Sequence, residues 1–208
     1  MKMLIVDDHA VLREGLRQIV ARLPCEAEIG EAENGMEALA RLREGEWNLV
    51  VLDISLPDRN GLDLLKQIKA LYPKLPVLIL SMHGEAEYAV RAFKSGAAGY
   101  LTKRTARTEL VEAIQHISKG KRYITPAVAE QLLIDNSGGE SDRPLSVLSD
   151  REFQVLTMIA SGLRIKAVAE QLGVSAKTVS THRANILDKL RLQGTADLIR
   201  YAIARGLP

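Results

Sequence analysis

Thiol chemistry is almost absent from this chain. Cys25 is the only cysteine among 208 residues, so no internal disulfide can form and a reducing compartment is expected. It follows Leu23-Pro24 with no catalytic pattern around it, which sets aside a thiol nucleophile. Long apolar runs are missing as well. After Met1-Lys2-Met3, the stretch Leu4-Ile5-Val6 meets two aspartates, far short of a secretory core. The run from Leu49 to Leu52 stops at Asp53, where a bilayer span needs roughly 20 apolar residues. The expectation is a cytoplasmic protein with no membrane partner. Net charge is small too, at +2, but it is unevenly placed. Residues 1–120 hold 16 Lys/Arg against 17 Asp/Glu, residues 121–146 hold 3 against 4, and residues 147–208 hold 9 against 5. A basic final third beside a neutral front suggests a polyanion as its partner.

The length suits two domains, and 47% hydrophobic residues let each half bury a core. Over the first 120 residues, short apolar runs alternate with amphipathic segments. The runs are Leu4-Ile5-Val6, a weaker one near Ala27 to Ala32, Leu49-Val50-Val51-Leu52, Val77-Leu78-Ile79-Leu80 and Gly99-Tyr100-Leu101. Continuous apolar strands belong to a parallel sheet covered on both faces. Between them, Leu12, Leu16, Ile19, Val20 and Leu23 recur at helical spacing, as do Leu64, Leu65, Ile68 and Leu71. Further helices are expected over 34–43, 85–95 and 108–118. This alternation predicts a doubly wound α/β domain with its chemistry at the carboxyl ends of the strands.

The middle changes character. Thr125-Pro126 starts a short helix through about Ile134, and Asp135 to Pro144 reads as a flexible linker. Beyond it the pattern is purely helical. Ser149-Asp150-Arg151-Glu152 is a capping box whose helix should end at Gly162. A second helix runs from about Ile165 to Leu172 and stops at Gly173. Ser175 caps a third reaching about Leu190, and a fourth fills Thr195 to Arg205. Helix, tight glycine turn and longer helix form a helix-turn-helix signature. The expected boundaries are therefore 1–120, a linker over 121–146, and 147–208.

Asp7 and Asp8 follow the first strand, and Asp53 follows the third. In the expected strand order these are neighbours, so three carboxylates crowd one rim and repel unless a cation joins them. A hard divalent ion, Mg2+ or Mn2+, resolves this. Ser81 ends the fourth strand and Lys103 follows the fifth, which adds a hydroxyl and a fixed positive charge suited to a phosphoryl group. A carboxylate beside a metal can attack phosphorus and form an acyl phosphate. Taken singly, Asp53 is a turn former, Ser81 a turn hydroxyl and Lys103 a solvated lysine. Only their occurrence together, at successive strand ends, points to chemistry. His9 and His83 lie near the same rim but give no ligand pair on one helix, so a histidine-carboxylate metal site is set aside.

These residues resemble the receiver domain of two-component response regulators. The resemblance rests on Val6-Asp7-Asp8-His9, Asp53-Ile54-Ser55-Leu56-Pro57-Asp58-Arg59-Asn60-Gly61, Leu80-Ser81-Met82-His83 and Gly99-Tyr100-Leu101-Thr102-Lys103. It implies a flavodoxin-like (βα)5 fold in which Asp53 accepts phosphate from a phosphohistidine on a sensor histidine kinase. It further implies that Asp8, Asp53 and the Ser55 carbonyl hold Mg2+, with Asp7 orienting through water. Ser81 and Lys103 would bind the phosphoryl oxygens, and Tyr100 would turn inward as Ser81 moves. Arg104 stands where many receivers carry proline.

Residues 148–203 resemble the four-helix LuxR-type helix-turn-helix. Leu148-Ser149-Asp150-Arg151-Glu152, Ile159-Ala160-Ser161-Gly162 and Val174 through Arg183 carry the match. Val179, Ile186, Leu187 and Leu190 can face the core of the third helix. The residues expected at DNA are Lys177, Thr178, Ser180, Thr181, His182, Arg183 and Lys189, since short hydroxyl side chains permit close approach while cations reach phosphates or guanine edges. Arg164-Ile165, Ala167 and Thr195 depart from the usual pattern. Both resemblances together indicate the NarL/FixJ class.

The expected mechanism is a two-state switch. Unphosphorylated, the receiver masks the DNA-binding half; acyl-phosphate formation loosens it, favours a homodimer and permits binding to an inverted repeat in double-stranded DNA. Leu198, Ile199 and Tyr201 are candidates for a dimer contact or for plain core packing. No second acid/base is evident beside Asp53, so the reading is a regulator with slow self-dephosphorylation rather than an enzyme. A protein-interaction module and a small-molecule-sensing regulator are the rivals, disfavoured by the basic helix and by the acidic set respectively.

Overall fold

The computed structural model describes residues 1–23, 26–82, 86–126, 128–130 and 145–207. It divides into two units, Met1–Ser137 and Gly138–Pro208, each taken by itself below. Cys25, His83, the end of the short helix expected through Ile134, and the linker expected over Asp135 to Pro144 lie outside the described residues.

The first unit is a parallel sheet between helices. Its strands are β1 (Lys2–Val6), β2 (Glu28–Ala32), β3 (Leu49–Asp53), β4 (Val77–Ser81) and β5 (Gly99–Thr102), in the spatial order β2-β1-β3-β4-β5. The helices are α1 (Ala10–Val20), α2 (Gly35–Arg43), α3 (Gly61–Leu71), α4 (Ala86–Lys94) and α5 (Ala106–Ser118). Alternation along each strand sends side chains to both faces. Met3, Ile5, Leu49, Val51, Leu78 and Leu80 form one core with Leu16 and Val20 of α1 and Leu110, Ile114 and Ile117 of α5. Leu4, Val6, Val50, Leu52, Val77 and Ile79, of opposite parity, are buried as well. Both faces are dry, which is why these strands read as unbroken apolar runs.

The edge strand β2 is different, being mostly half-exposed. A Cβ on Gly30 would stand 2.3 Å from the ring of Trp47, so the indole lies across the strand where a side chain would otherwise rise. Trp47 donates its Nε1–H to the Arg41 carbonyl at 2.9 Å. On the opposite edge, Tyr123 forms an isolated parallel bridge with Gly99, so the chain leaving α5 lies along β5. The turn starting at Thr125 is present: the Ala129 amide donates to the Thr125 carbonyl at 3.0 Å.

The second unit is helical. A 3-10 turn at Leu145–Val147 precedes Asp150–Ala160, Ile165–Gln171, Ala176–Leu190 and Thr195–Ile203, here α6 to α9. The capping box is complete: the Ser149 hydroxyl accepts from the Glu152 amide, and the Glu152 carboxylate from the Ser149 amide. Gly162 and Gly173 follow α6 and α7 with φ of 87° and 61°, the left-handed conformation that ends helices. Ser175 accepts from the Thr178 amide and opens α8. Phe153, Leu156, Val168, Val179, Ile186, Leu190, Leu198 and Ala202 are buried. Leu198 is therefore a core residue rather than a dimer contact, because its turn of α9 faces α6. Ile199 and Tyr201 are half-exposed.

Removing the Ser149 hydroxyl takes away one of two reciprocal bonds at the start of α6. Ser149→Ala is expected to destabilise the second unit by about 1 kcal/mol, read as a lower midpoint in chemical denaturation. An unchanged midpoint would show that the cap is dispensable.

Candidate functional site

Strand register assembles the rim. Val6 pairs with Leu52 across β1 and β3, so Asp7 and Asp53 stand level, one step further along. Asp53 pairs with Leu80, and Ser81 with Thr102. The next residue, Lys103, donates its amide to the Ser81 carbonyl at 2.7 Å. One parallel sheet thus delivers Asp7, Asp53, Ser81 and Lys103 to the same end. Asp7, Asp53 and Ser81 are buried.

Lys103 Nζ lies 2.7 Å from Asp53 Oδ2 and 2.7 Å from Asp7 Oδ2. Asp53 Oδ1 is buried and has no hydrogen-bond partner among the described residues. Burial raises the Asp53 carboxyl; Lys103 pulls it down, Asp7 pushes it up, and the balance lies above the ordinary aspartate value. For Lys103, burial alone would lower the ammonium, but Asp53 and Asp7 hold it above its usual value. The lysine is charged, and its charge is shared between two carboxylates.

Ligand atoms of Asp7, Asp8, His9 and Asp53 all lie within 4.8 Å of one another. Two carboxylates share one buried ammonium, a third stands beside them, Asp53 Oδ1 has no partner among the described residues, and the donor set is almost all oxygen. That composition fits a hard divalent cation. His9 stands beside this cluster, at the rim where the sequence places it. Its Nδ1 lies 2.7 Å from Asp8 Oδ1 and 3.2 Å from Asp7 Oδ1, and its amide donates to Asp7 Oδ1 at 2.8 Å.

The loop after Asp53 is held on three sides. Ser55 bridges to Asn60, Asn60 accepts from the Leu62 amide as cap of α3, and Asp58 accepts from the Gly35 and Met36 amides at the start of α2. Burial would raise the Asp58 carboxyl, but those amides and Arg59 bring it below the usual range. A Cβ on Gly61 would fall 2.2 Å from the Asp53 carbonyl. Glycine here lets α3 start against the backbone of the central aspartate. Tyr100 is enclosed on β5, with 5% of its surface exposed.

In the second unit, α8 presents Lys177, Thr178 and Thr181 to solvent, with Ser180 half-exposed. The Ser180 hydroxyl donates to the Ala176 carbonyl and that of Thr181 to the Lys177 carbonyl, which holds both short side chains close to the helix. Asn185, one turn beyond Thr181 and also exposed, continues this stripe and was missed from the sequence. The remaining cations are engaged. Arg183 donates to Thr195 Oγ1 at 3.1 Å. Lys189 sits 2.6 Å from Glu152 Oε2. Burial would raise the Glu152 carboxyl, but Lys189 and Ser149 hold it below its ordinary value. His182 is half-buried, and burial and Arg151 lower its imidazole. Arg151 in turn donates to the Leu172 carbonyl at the end of α7 at 2.9 Å.

Residues 3–115 match the family described as response regulator receiver domain, and residues 146–202 match bacterial regulatory proteins of the luxR family. The response regulator GacA of Pseudomonas protegens is 33% identical over 206 residues, covering 99% of this chain and 97% of the relative. The response regulator UvrY of Escherichia coli K12 is 34% identical over 205 residues, covering 98% and 94%. Among solved structures, RcsB from Salmonella enterica serovar Typhimurium bound to promoter rprA with the phosphomimetic BeF3− superposes with a TM-score of 0.65 at 26% identity, over 97% of this chain and 98% of that one. No described helix is long and apolar enough to cross a membrane.

Two outcomes follow from the rim. Because the Asp53 carboxyl is raised on folding, its ionised form opposes folding above that value, and the penalty fades as pH falls through it. Asp53→Asn should therefore raise the melting temperature of metal-free protein at pH 7, by roughly 2–4 °C per kcal/mol relieved, with the gain shrinking toward pH 4; a lower melting temperature at pH 7 contradicts this. Gly61→Ala should displace Asp53 and weaken Mn2+ binding while the second unit unfolds as before. Unchanged Mn2+ affinity in calorimetry would count against the contact.

Proposed function

The chain belongs to the two-component response regulators of the NarL/FixJ family, a receiver joined to a LuxR-type DNA-binding domain, and we propose that phosphotransfer to Asp53 controls its binding to DNA. One observation carries the reading: Asp53 is buried at a sheet rim with Oδ1 unpartnered and Oδ2 on Lys103. Asp53 Oδ1 attacks the phosphorus of a phosphohistidine on a sensor histidine kinase. The new O–P bond forms as the P–N bond breaks, and the imidazole leaves, regaining a proton from solvent. Lys103 already touches the accepting carboxylate, so its ammonium is in place for the phosphoryl oxygens, and Ser81 at the end of β4 supplies a hydroxyl. Asp8, Asp53 and the Ser55 carbonyl, with Asp7 behind them, would hold Mg2+, which would supply positive charge for the same oxygens.

Asp7 and Asp53 are engaged by Lys103, and no second acid/base among the described residues stands beside Asp53 to activate water, so any loss of phosphate is slow self-dephosphorylation. Tyr100 and Ser81 on adjacent strands carry the change away from the rim. It lifts a restraint on the DNA-binding unit and favours a homodimer whose paired α8 helices read an inverted repeat. Lys177, Thr178, Ser180 and Thr181 contact DNA, joined by Asn185. Arg183 reaches it only after leaving Thr195, and the half-buried His182 only by turning outward. Lys189 supports α8 on α6 instead. A regulator of this kind works in the cytoplasm, where its DNA is.

Treated with Mg2+ and acetyl phosphate, the wild-type chain should gain one phosphoryl mass at Asp53 and bind DNA more tightly, while Asp53→Asn shows neither. Equal stimulation of that variant would end the scheme. Lys177→Ala should weaken DNA binding and reduce the slope of log affinity against log salt by about 1. Lys189→Met should leave that slope alone and lower the stability of the second unit by about 1 kcal/mol, a figure discounted for the partly exposed ammonium. Loss of slope in the second variant would move Lys189 back to the groove.

A further inference from the structure

Arg13 is a cation the phosphotransfer chemistry does not use, yet it is almost wholly buried, with 7% of its side chain exposed. It sits in the first turns of α1, directly after the Asp7-Asp8 pair. All three guanidinium nitrogens are engaged. Nε donates to Glu31 Oε2 at 2.8 Å, Nη2 to Glu33 Oε1 at 2.7 Å, and Nη1 to the Asp7 carbonyl at 2.7 Å. The first two bonds go to the end of β2. The third goes to the backbone of the rim itself.

That backbone bond matters because of where β1 stops. The strand ends at Val6, and the Asp7 amide makes one more bond across to β2, to the Ala32 carbonyl at 3.1 Å. The Asp7 carbonyl belongs to the planar peptide unit that links Asp7 to Asp8. Fixing the oxygen fixes the plane, and with it ψ of Asp7 and φ of Asp8. Those two torsions set the backbone from which both carboxylates project. With its amide tied to β2 and its carbonyl tied to Arg13, the dipeptide is restrained at both ends. Two glutamates balance the guanidinium charge, so the influence of Arg13 on the rim is geometric more than electrostatic.

We infer that Arg13 is a positioning residue for the cation site: through Nη1 it holds the Asp7–Asp8 peptide so that both carboxylates face the pocket, while Glu31 and Glu33 balance its charge and staple α1 to β2. The inference rests on the proposed phosphotransfer at Asp53, but it can be separated from it. The probe is Mn2+ alone, with bound and free ion counted by electron paramagnetic resonance on the full chain, beside the Mg2+ concentration that half-saturates phosphorylation by acetyl phosphate. Arg13→Met should weaken Mn2+ binding about tenfold, as removal of a partner outside the ligand shell commonly does. It should raise the half-saturating Mg2+ to match, while the phosphorylation plateau at high Mg2+ stays near that of wild type. Arg13→Lys, whose single ammonium reaches one acceptor at a time, should fall between.

Glu31→Ala separates positioning from mere stapling of α1 to β2. It loosens the same staple but leaves Nη1 on the Asp7 carbonyl, so it should lower the melting temperature with little change in Mn2+ affinity. Wild-type Mn2+ affinity in Arg13→Met, or an equal loss in Glu31→Ala, overturns the inference while leaving phosphotransfer intact. If Arg13→Met fails to fold, Arg13→Lys with wild-type Mn2+ affinity overturns it in the same way. A wild-type chain that binds no Mn2+ and takes no phosphate overturns the functional reading, and this inference with it.

Discussion

Crowding of like charge at the end of a parallel sheet is the constraint from which the rest of the receiver follows. Two neighbouring strands each end in a buried carboxylate, and burial magnifies their repulsion. The fold tolerates this because β5 brings Lys103 to within 2.7 Å of both. One ammonium among three carboxylates is an incomplete answer, and the incompleteness is useful. It leaves an appetite for a cation and for a group that rearranges charge, in a place where a protein built only for stability would have put leucine.

The rim is rigid where it must be and is braced from outside. Arg13 grips the backbone before α1, Asp58 ties the loop after β3 to the start of α2, and Gly61 lets α3 begin against Asp53. None of these groups belongs to the set that meets phosphorus. The second unit follows the same economy. Arg151 and Glu152, neighbours in one helix turn, reach the end of α7 and the end of α8, so a single capping box orients the helix that faces outward.

Much of this was legible in the chain. Strands covered on both faces have to be apolar throughout, so β1, β3 and β4 declare themselves. β2 is faint because it is an edge strand whose Gly30 makes room for Trp47. Asp7, Asp53, Ser81 and Lys103 could be chosen because a strand end is a local feature and register does the rest. The capping box at Ser149 and the stops at Gly162 and Gly173 are equally local. What could not be read depends on pairs distant along the chain. Arg13 meets a partner 20 residues away, Asp58 one 23 away, and Lys189 one 37 away. A basic helix in sequence offers Lys177 and Lys189 as equals; only the fold shows that Lys189 is held by Glu152. Leu198 likewise fits a dimer seam or a core until α6 is seen beside it.

Trp47 has a practical bearing on how this molecule can be watched. It is the only tryptophan, and it lies across Gly30, on the approach to β3. A strand of five residues at about 3.3 Å each separates that approach from the acidic rim. Native indole emission is therefore an optical gauge of whether the outer edge of the sheet is intact.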